Sequence, residues 1–138
     1  MKKFLSIILA MLLCTCLFGC DGANNSGNVI DERKSKLREA YETCCNPPVD
    51  YAELSSDGTS LVIDTNPIDK DYYRYGADAS LSITLCNTKL ELPSSLSDKM
   101  SSTRALDGMQ SQNCGDFTVS WTYHPDNGLR VIYEVNLS

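Results

Sequence analysis

The stretch from Phe117 to Leu137 constrains the fold more than any other part of this chain. Between Phe117 and His124, the residues Phe117, Val119, Trp121 and Tyr123 alternate with Thr118, Ser120 and Thr122. Between Leu129 and Leu137, the residues Leu129, Val131, Tyr133, Val135 and Leu137 keep the same rhythm. A period of two puts such residues on one side of a strand. Pro125-Asp126-Asn127-Gly128 lies between the two runs, a turn sequence with Asn-Gly where a positive φ is wanted. The pattern predicts a long antiparallel C-terminal hairpin with one apolar face. A lone hairpin is marginal in water, so that face must be covered.

Two segments offer the cover. Residues 29–45 read as a helix, with Ile30, Leu37, Tyr41, Cys44 and Cys45 in one stripe, Asn28 as N-cap, Asp31 and Glu32 favouring the first turn, and Pro47-Pro48 as the stop. Ala79 to Cys86 alternates, with Leu81, Ile83 and Leu85 against Ser80, Ser82 and Thr84, and reads as a strand. Thr59–Asp64 is a further β-prone run after the Ser56-Asp57-Gly58 turn, and Leu90 and Leu92 hint at another short strand before Pro93. Residues 95–107 suit a second helix with Leu96, Met100 and Arg104 on one side. The expectation is an α+β fold: a small antiparallel sheet of about four strands ending in the hairpin, with an N-terminal helix packed on one face.

The other end of the chain reads as a targeting segment rather than fold. Lys2 and Lys3 precede Phe4–Phe18, an uncharged apolar run too short for the roughly 20 residues of a spanning helix and suited to the core of a signal peptide. Leu17-Phe18-Gly19-Cys20 follows and resembles a lipobox, the processing site of bacterial lipoproteins. The resemblance covers residues 1–22. It implies a signal peptide over 1–19, acylation (palmitate) and cleavage at Cys20, and a cell-membrane anchor on the extracytoplasmic, periplasmic side. An ordinary cleaved signal peptide or an uncleaved anchor is the alternative. Asp21, directly after the cysteine, resembles the signal for retention in the inner membrane of enteric-type bacteria. Residues 20–28 would then be the lipidated cysteine and a flexible Gly/Asn-rich tether, and 29–138 a single extracytoplasmic domain.

Charge narrows the partners. The chain has 138 residues, 12 Lys+Arg and 18 Asp+Glu. Cleavage before Cys20 removes Lys2 and Lys3 and no acid, leaving a formal charge of −8. So acidic a domain is repelled by nucleic acid and by anionic lipid headgroups.

Four further cysteines, Cys44, Cys45, Cys86 and Cys114, form an even set in an exported domain and suggest two disulfides. A Cys44–Cys45 bond would need a strained ring, so each of the two is expected to take one of Cys86 and Cys114, in either order. The spacing fits neither a zinc site nor a Cys-x-x-Cys redox site. The adjacent cysteines, Tyr51-Ala52-Glu53-Leu54, a short β stretch and Tyr75-Gly76-Ala77-Asp78-Ala79-Ser80-Leu81 are similar to the opening pattern of some relatives of the maltose-operon periplasmic protein. That resemblance covers about 40 residues and implies a β-rich periplasmic domain without catalytic activity.

Candidate chemistry is sparse. His124, the only histidine, sits at the mouth of the hairpin turn, and no serine lies in a Gly-x-Ser-x-Gly or Ser-x-x-Lys motif. Asp64, Asp69, Asp71 and Asp78 flank an irregular stretch without the ligand spacing of a calcium loop, and read as a solvated loop. Tyr72, Tyr73, Arg74 and Tyr75 combine the residue types enriched in interface hot spots. These features predict a non-enzymatic module without metal or cofactor that binds a protein partner in the cell envelope, in an assembly or inhibitory role. Its candidate surfaces are Tyr72–Tyr75 and an exposed edge of the hairpin. The alternative is a lipoprotein that binds a small ligand or glycan.

Overall fold

The structure, a computed structural model, describes residues 25–66 and 72–138. The hairpin forms as its alternation demands: β4 is Phe117–His124 and β5 is Gly128–Val135. Phe117 pairs with Val135, Val119 with Tyr133 and Trp121 with Val131, and all six are buried. The loop is residues 125–127, and Gly128 takes φ 72°, the left-handed conformation this hairpin closure needs. Leu137 lies beyond the strand and is exposed.

The sheet has five antiparallel strands rather than about four, in the order β1-β2-β5-β4-β3. The additions are β1, Ala52–Leu54, and β3, Gln110–Cys114, while β2 is Ser60–Asp64, within the expected run. Both additions sit at the edges, where a strand needs one partner only. β2 joins the hairpin through Leu61 opposite Tyr133 and Ile63 opposite Val131, which extends the apolar face by two buried side chains.

Helix α1, Asn25–Ala40, runs on as a π-helical turn, Tyr41–Cys45, and ends at Asn46 in the left-handed conformation, just before Pro47. Its far end agrees with the expectation. Its start lies earlier, so Asn28 is inside the helix rather than its N-cap, and Asn25–Asn28 is helical rather than tether. Leu37, Ala40 and Cys45 face the core.

The segment expected as a strand at Ala79–Cys86 is part of helix α2, Tyr72–Lys89. Ala79, Ser82, Ile83, Cys86, Asn87 and Leu90 are buried, the three-and-four spacing of one helix face. Leu81 and Leu85 point the other way, 57 % and 43 % exposed. Leu90 and Glu91 form the turn after α2, so no strand forms at Leu90–Leu92. Helix α3, Ser95–Ser102, buries Leu96 and Met100 as expected, but stops before Arg104, which is exposed. All three helices contribute to one core with the inner face of the sheet.

A polar chain, buried at Tyr133 and Asn87, ties these layers together. The Tyr133 hydroxyl donates to Asn87 Oδ1 (2.9 Å), and Asn87 Nδ2 donates to Ser97 Oγ (3.2 Å), joining β5, α2 and α3. A second set caps the π-helical turn. Ser82 Oγ donates to the Cys44 carbonyl (2.8 Å) and the Tyr51 hydroxyl to the Cys45 carbonyl (3.2 Å), where the helix can no longer satisfy its own carbonyls.

The two expected disulfides are not formed: Cys44, Cys45, Cys86 and Cys114 are free thiols. Half of the expected framework also fails in its geometry, since Cys114 has no cysteine beside it among the described residues. Cys44, Cys45 and Cys86 gather over Tyr133 of β5. Cys114 lies on the edge strand two positions away, roughly 10 Å across the sheet, with Lys99 as its charged neighbour.

Candidate interaction surface

Because every helix packs on one side, the opposite side of the sheet is left uncovered. Its outward residues are all at least partly exposed. The register assembles them into rows. Glu53, Val62, Ile132, Ser120 and Ser111 stand side by side across all five strands. A second row holds Ser60, Glu134, Thr118 and Asn113, and a third holds Asp64, Arg130 and Thr122. At roughly 4.8 Å between strands, the surface is about 19 Å across. Val62 and Ile132 form a small apolar centre, Glu53 and Glu134 border it together with serine and threonine hydroxyls, and the Arg130–Asp64 ion pair (3.5 Å) lies at one end. An apolar centre with a polar rim is the anatomy of a protein-binding patch.

β3 borders this face as an edge strand. It is uncharged and without proline, so it lacks the usual devices that block pairing with another chain. The hairpin expected to supply the free edge does not, since β4 is flanked by β3 and β5 by β2. Next to β3, the segment after α3 projects Leu106 (97 % exposed) from a short helical turn, Ala105–Asp107, and Met109 (59 %) just after it. Arg104, Leu106, Tyr123 and Leu129 line a shallow groove of about 630 Å³ at this end.

A second, polar cleft of about 430 Å³ is lined by Lys99, Asp107, Gln110, Gln112 and Trp121. Trp121 is 3 % exposed, and its indole N–H donates to Thr103 Oγ1 (2.8 Å), so its ring is packed rather than presented for stacking. Hydrogen bonding to the backbone and side chain of Arg104 holds the Asp107 carboxyl below its usual range.

The other sequence candidates are placed as follows. Tyr72, Tyr73, Arg74 and Tyr75 form the first turn of α2, and their side chains lie outside the described residues. Cys20, the signal segment and residues 21–24 also lie outside them, as do Asp69 and Asp71. His124 is exposed at the hairpin turn, where its Nδ1 accepts from the Asp126 backbone N–H (3.2 Å) and lies 3.8 Å from the Asp126 carboxylate. Asp64 accepts from the Asn66 N–H (3.0 Å), and Asp78 is exposed on α2. Among the described residues, no group of histidine, cysteine and acidic side chains is arranged to hold a metal ion, and no helix is long and apolar enough to cross a membrane. Sequence reasoning missed the outer sheet face because Thr/Ser alternation reads only as the polar side of a strand. Which strands stand beside one another is not written locally. No family model, curated protein or solved structure matches the chain.

Proposed function

We propose that this protein is a lipoprotein, anchored through Cys20 on the extracytoplasmic side, with Asp21 favouring the inner membrane. It acts as a non-catalytic module that binds an envelope protein through the open sheet face and the β3 edge. The observation that carries this reading is the flat face with Val62 and Ile132 at its centre, bordered by an unprotected edge strand. Protein partners use such edges by adding a strand, and such faces by packing over the apolar centre. The outer sheet face itself presents no phenylalanine, tyrosine or tryptophan ring on which a glycan could stack. Four residues, 21–24, lie between Cys20 and the start of α1, and the five steps from Cys20 to Asn25 span at most about 17 Å of extended chain, so the domain would work close to the bilayer.

The test is site-specific photocrosslinking in intact cells, with the crosslinker at Ser120 or Ser111. A discrete adduct is expected that depends on Cys20 and drops at least tenfold in Ile132→Glu, an outward substitution that leaves the core untouched. An adduct unchanged in both Ile132→Glu and Cys20→Ser would sink the reading.

A further inference from the structure

Cys44, Cys45 and Cys86 form a cluster that the binding surface does not use. Cys45 and Cys86 are fully buried, while Cys44 keeps partial access to solvent. The thiols of both Cys44 and Cys45 lie beside that of Cys86. Consecutive helical residues normally diverge around the axis. Here the π-helical turn Tyr41–Cys45 and the left-handed Asn46 bring both sulfurs to one partner. The cluster is held on each side. Cys86 Sγ lies 3.9 Å from the Ala40 carbonyl, and Ser82, one turn earlier on α2, fixes the Cys44 carbonyl.

We propose that these three residues are a thiol–disulfide exchange site, in which Cys44 receives oxidising equivalents from an external disulfide and Cys45–Cys86 is the bond that results. The Cys44 thiolate attacks one sulfur of the external disulfide. That S–S bond breaks, one external thiolate leaves and takes up a proton, and Cys44 carries a mixed disulfide. Cys86 passes its proton to the neighbouring Cys45 thiolate and attacks Cys44 Sγ, expelling the second external thiolate, which takes up a proton, and forming Cys44–Cys86. Cys45 then attacks Cys86 Sγ, and its proton passes to the departing Cys44 sulfur, which returns to a thiol. In total two protein thiols lose two electrons and two protons, and one external disulfide becomes two thiols. The hydrogen bond from Cys86 and, secondarily, one from Ser82 hold Cys45 below the usual thiol range, which suits it to take the Cys86 proton, whereas the interaction with Cys45 and burial push Cys86 well above that range, so Cys86 attacks only as its proton leaves. Burial pushes Cys44 up, so the first step is slow, but Cys44 is the only one of the three sulfurs an external molecule can reach. The resulting bond would join the end of α1 to α2. The inference rests on the thiols alone and is independent of the proposed binding function.

The test uses the full chain purified in detergent, reduced, then incubated with glutathione disulfide, alkylated and mapped by mass spectrometry. The expected product is a link between the peptide holding Cys44-Cys45 and the peptide holding Cys86, with alkylation on Cys44 and Cys114 and a Tm raised by roughly 10 °C. Cys44→Ser should reach the same Cys45–Cys86 product at least tenfold more slowly. A Cys86–Cys114 link, or a Cys86 that stays unlinked and is alkylated only on denaturation, would overturn the site. An unchanged rate in Cys44→Ser would overturn the role of Cys44.

Discussion

Asp57 organises the β1–β2 turn from one carboxylate. It accepts from the Ser55 hydroxyl (2.7 Å), the Thr59 hydroxyl (2.8 Å) and the Thr59 N–H (3.1 Å). These bonds favour the charged form and hold its carboxyl at about 2. A depressed folded value contributes stability that is fully present above the unfolded value, about 4, and is lost as pH falls through about 2. Urea denaturation of wild type and Asp57→Asn should therefore differ at pH 6 and converge toward pH 2; a constant difference would mean the carboxylate charge is not what matters. Tyr133 makes a complementary case in the core. Tyr133→Phe leaves Asn87 Oδ1 buried without its donor and should cost about 1–3 kcal/mol. In a double-mutant cycle with Asn87→Leu, the two losses should add to clearly less than their sum.

At the scale of elements, α2 separates two readings of one sequence. As a strand, Leu81, Ile83 and Leu85 would be equivalent. As a helix, Ile83 is buried and the two leucines are exposed. Denaturation midpoints should accordingly fall sharply for Ile83→Ala, by about 2–4 kcal/mol, and by less than about 0.5 kcal/mol for Leu81→Ala and Leu85→Ala. Equal losses at all three positions would contradict the helix. The ambiguity has a physical origin. Alternation over eight residues satisfies a period of two, and the set Ala79, Ile83, Cys86, Leu90 satisfies 3.6 only when the window runs past the apparent strand. The hairpin carried no such ambiguity, since two long alternating runs flank a turn that demands positive φ at Gly128. β1 and β3 escaped notice because edge strands bury little and need no apolar pattern; β3 reads Gln-Ser-Gln-Asn-Cys.

At the scale of the whole molecule, Arg33 is the fastener between α1 and the far end of the sheet. Its Nε donates to Asp116 (2.9 Å), and its Nη1 donates to the Asn136 carbonyl and to the Ser138 carbonyl (3.0 Å). Arg33→Ala should destabilise the domain by about 1–3 kcal/mol, and Arg33→Lys should recover little, because an ammonium cannot reproduce the planar fork. Amide hydrogen exchange should report the loss at α1 and the 115–117 turn before the centre of the sheet. The local pattern of residues by itself determined the hairpin, its inner face and the end of α1 before Pro47. Each follows from a period or a stop that neighbouring residues impose. Only the tertiary structure decided that 79–86 winds as a helix, that two polar segments become edge strands, that the outer face is left open, and that three thiols meet while Cys114 stands apart. Those outcomes depend on which surfaces come together to exclude water, a property of the assembled layers that no single segment carries.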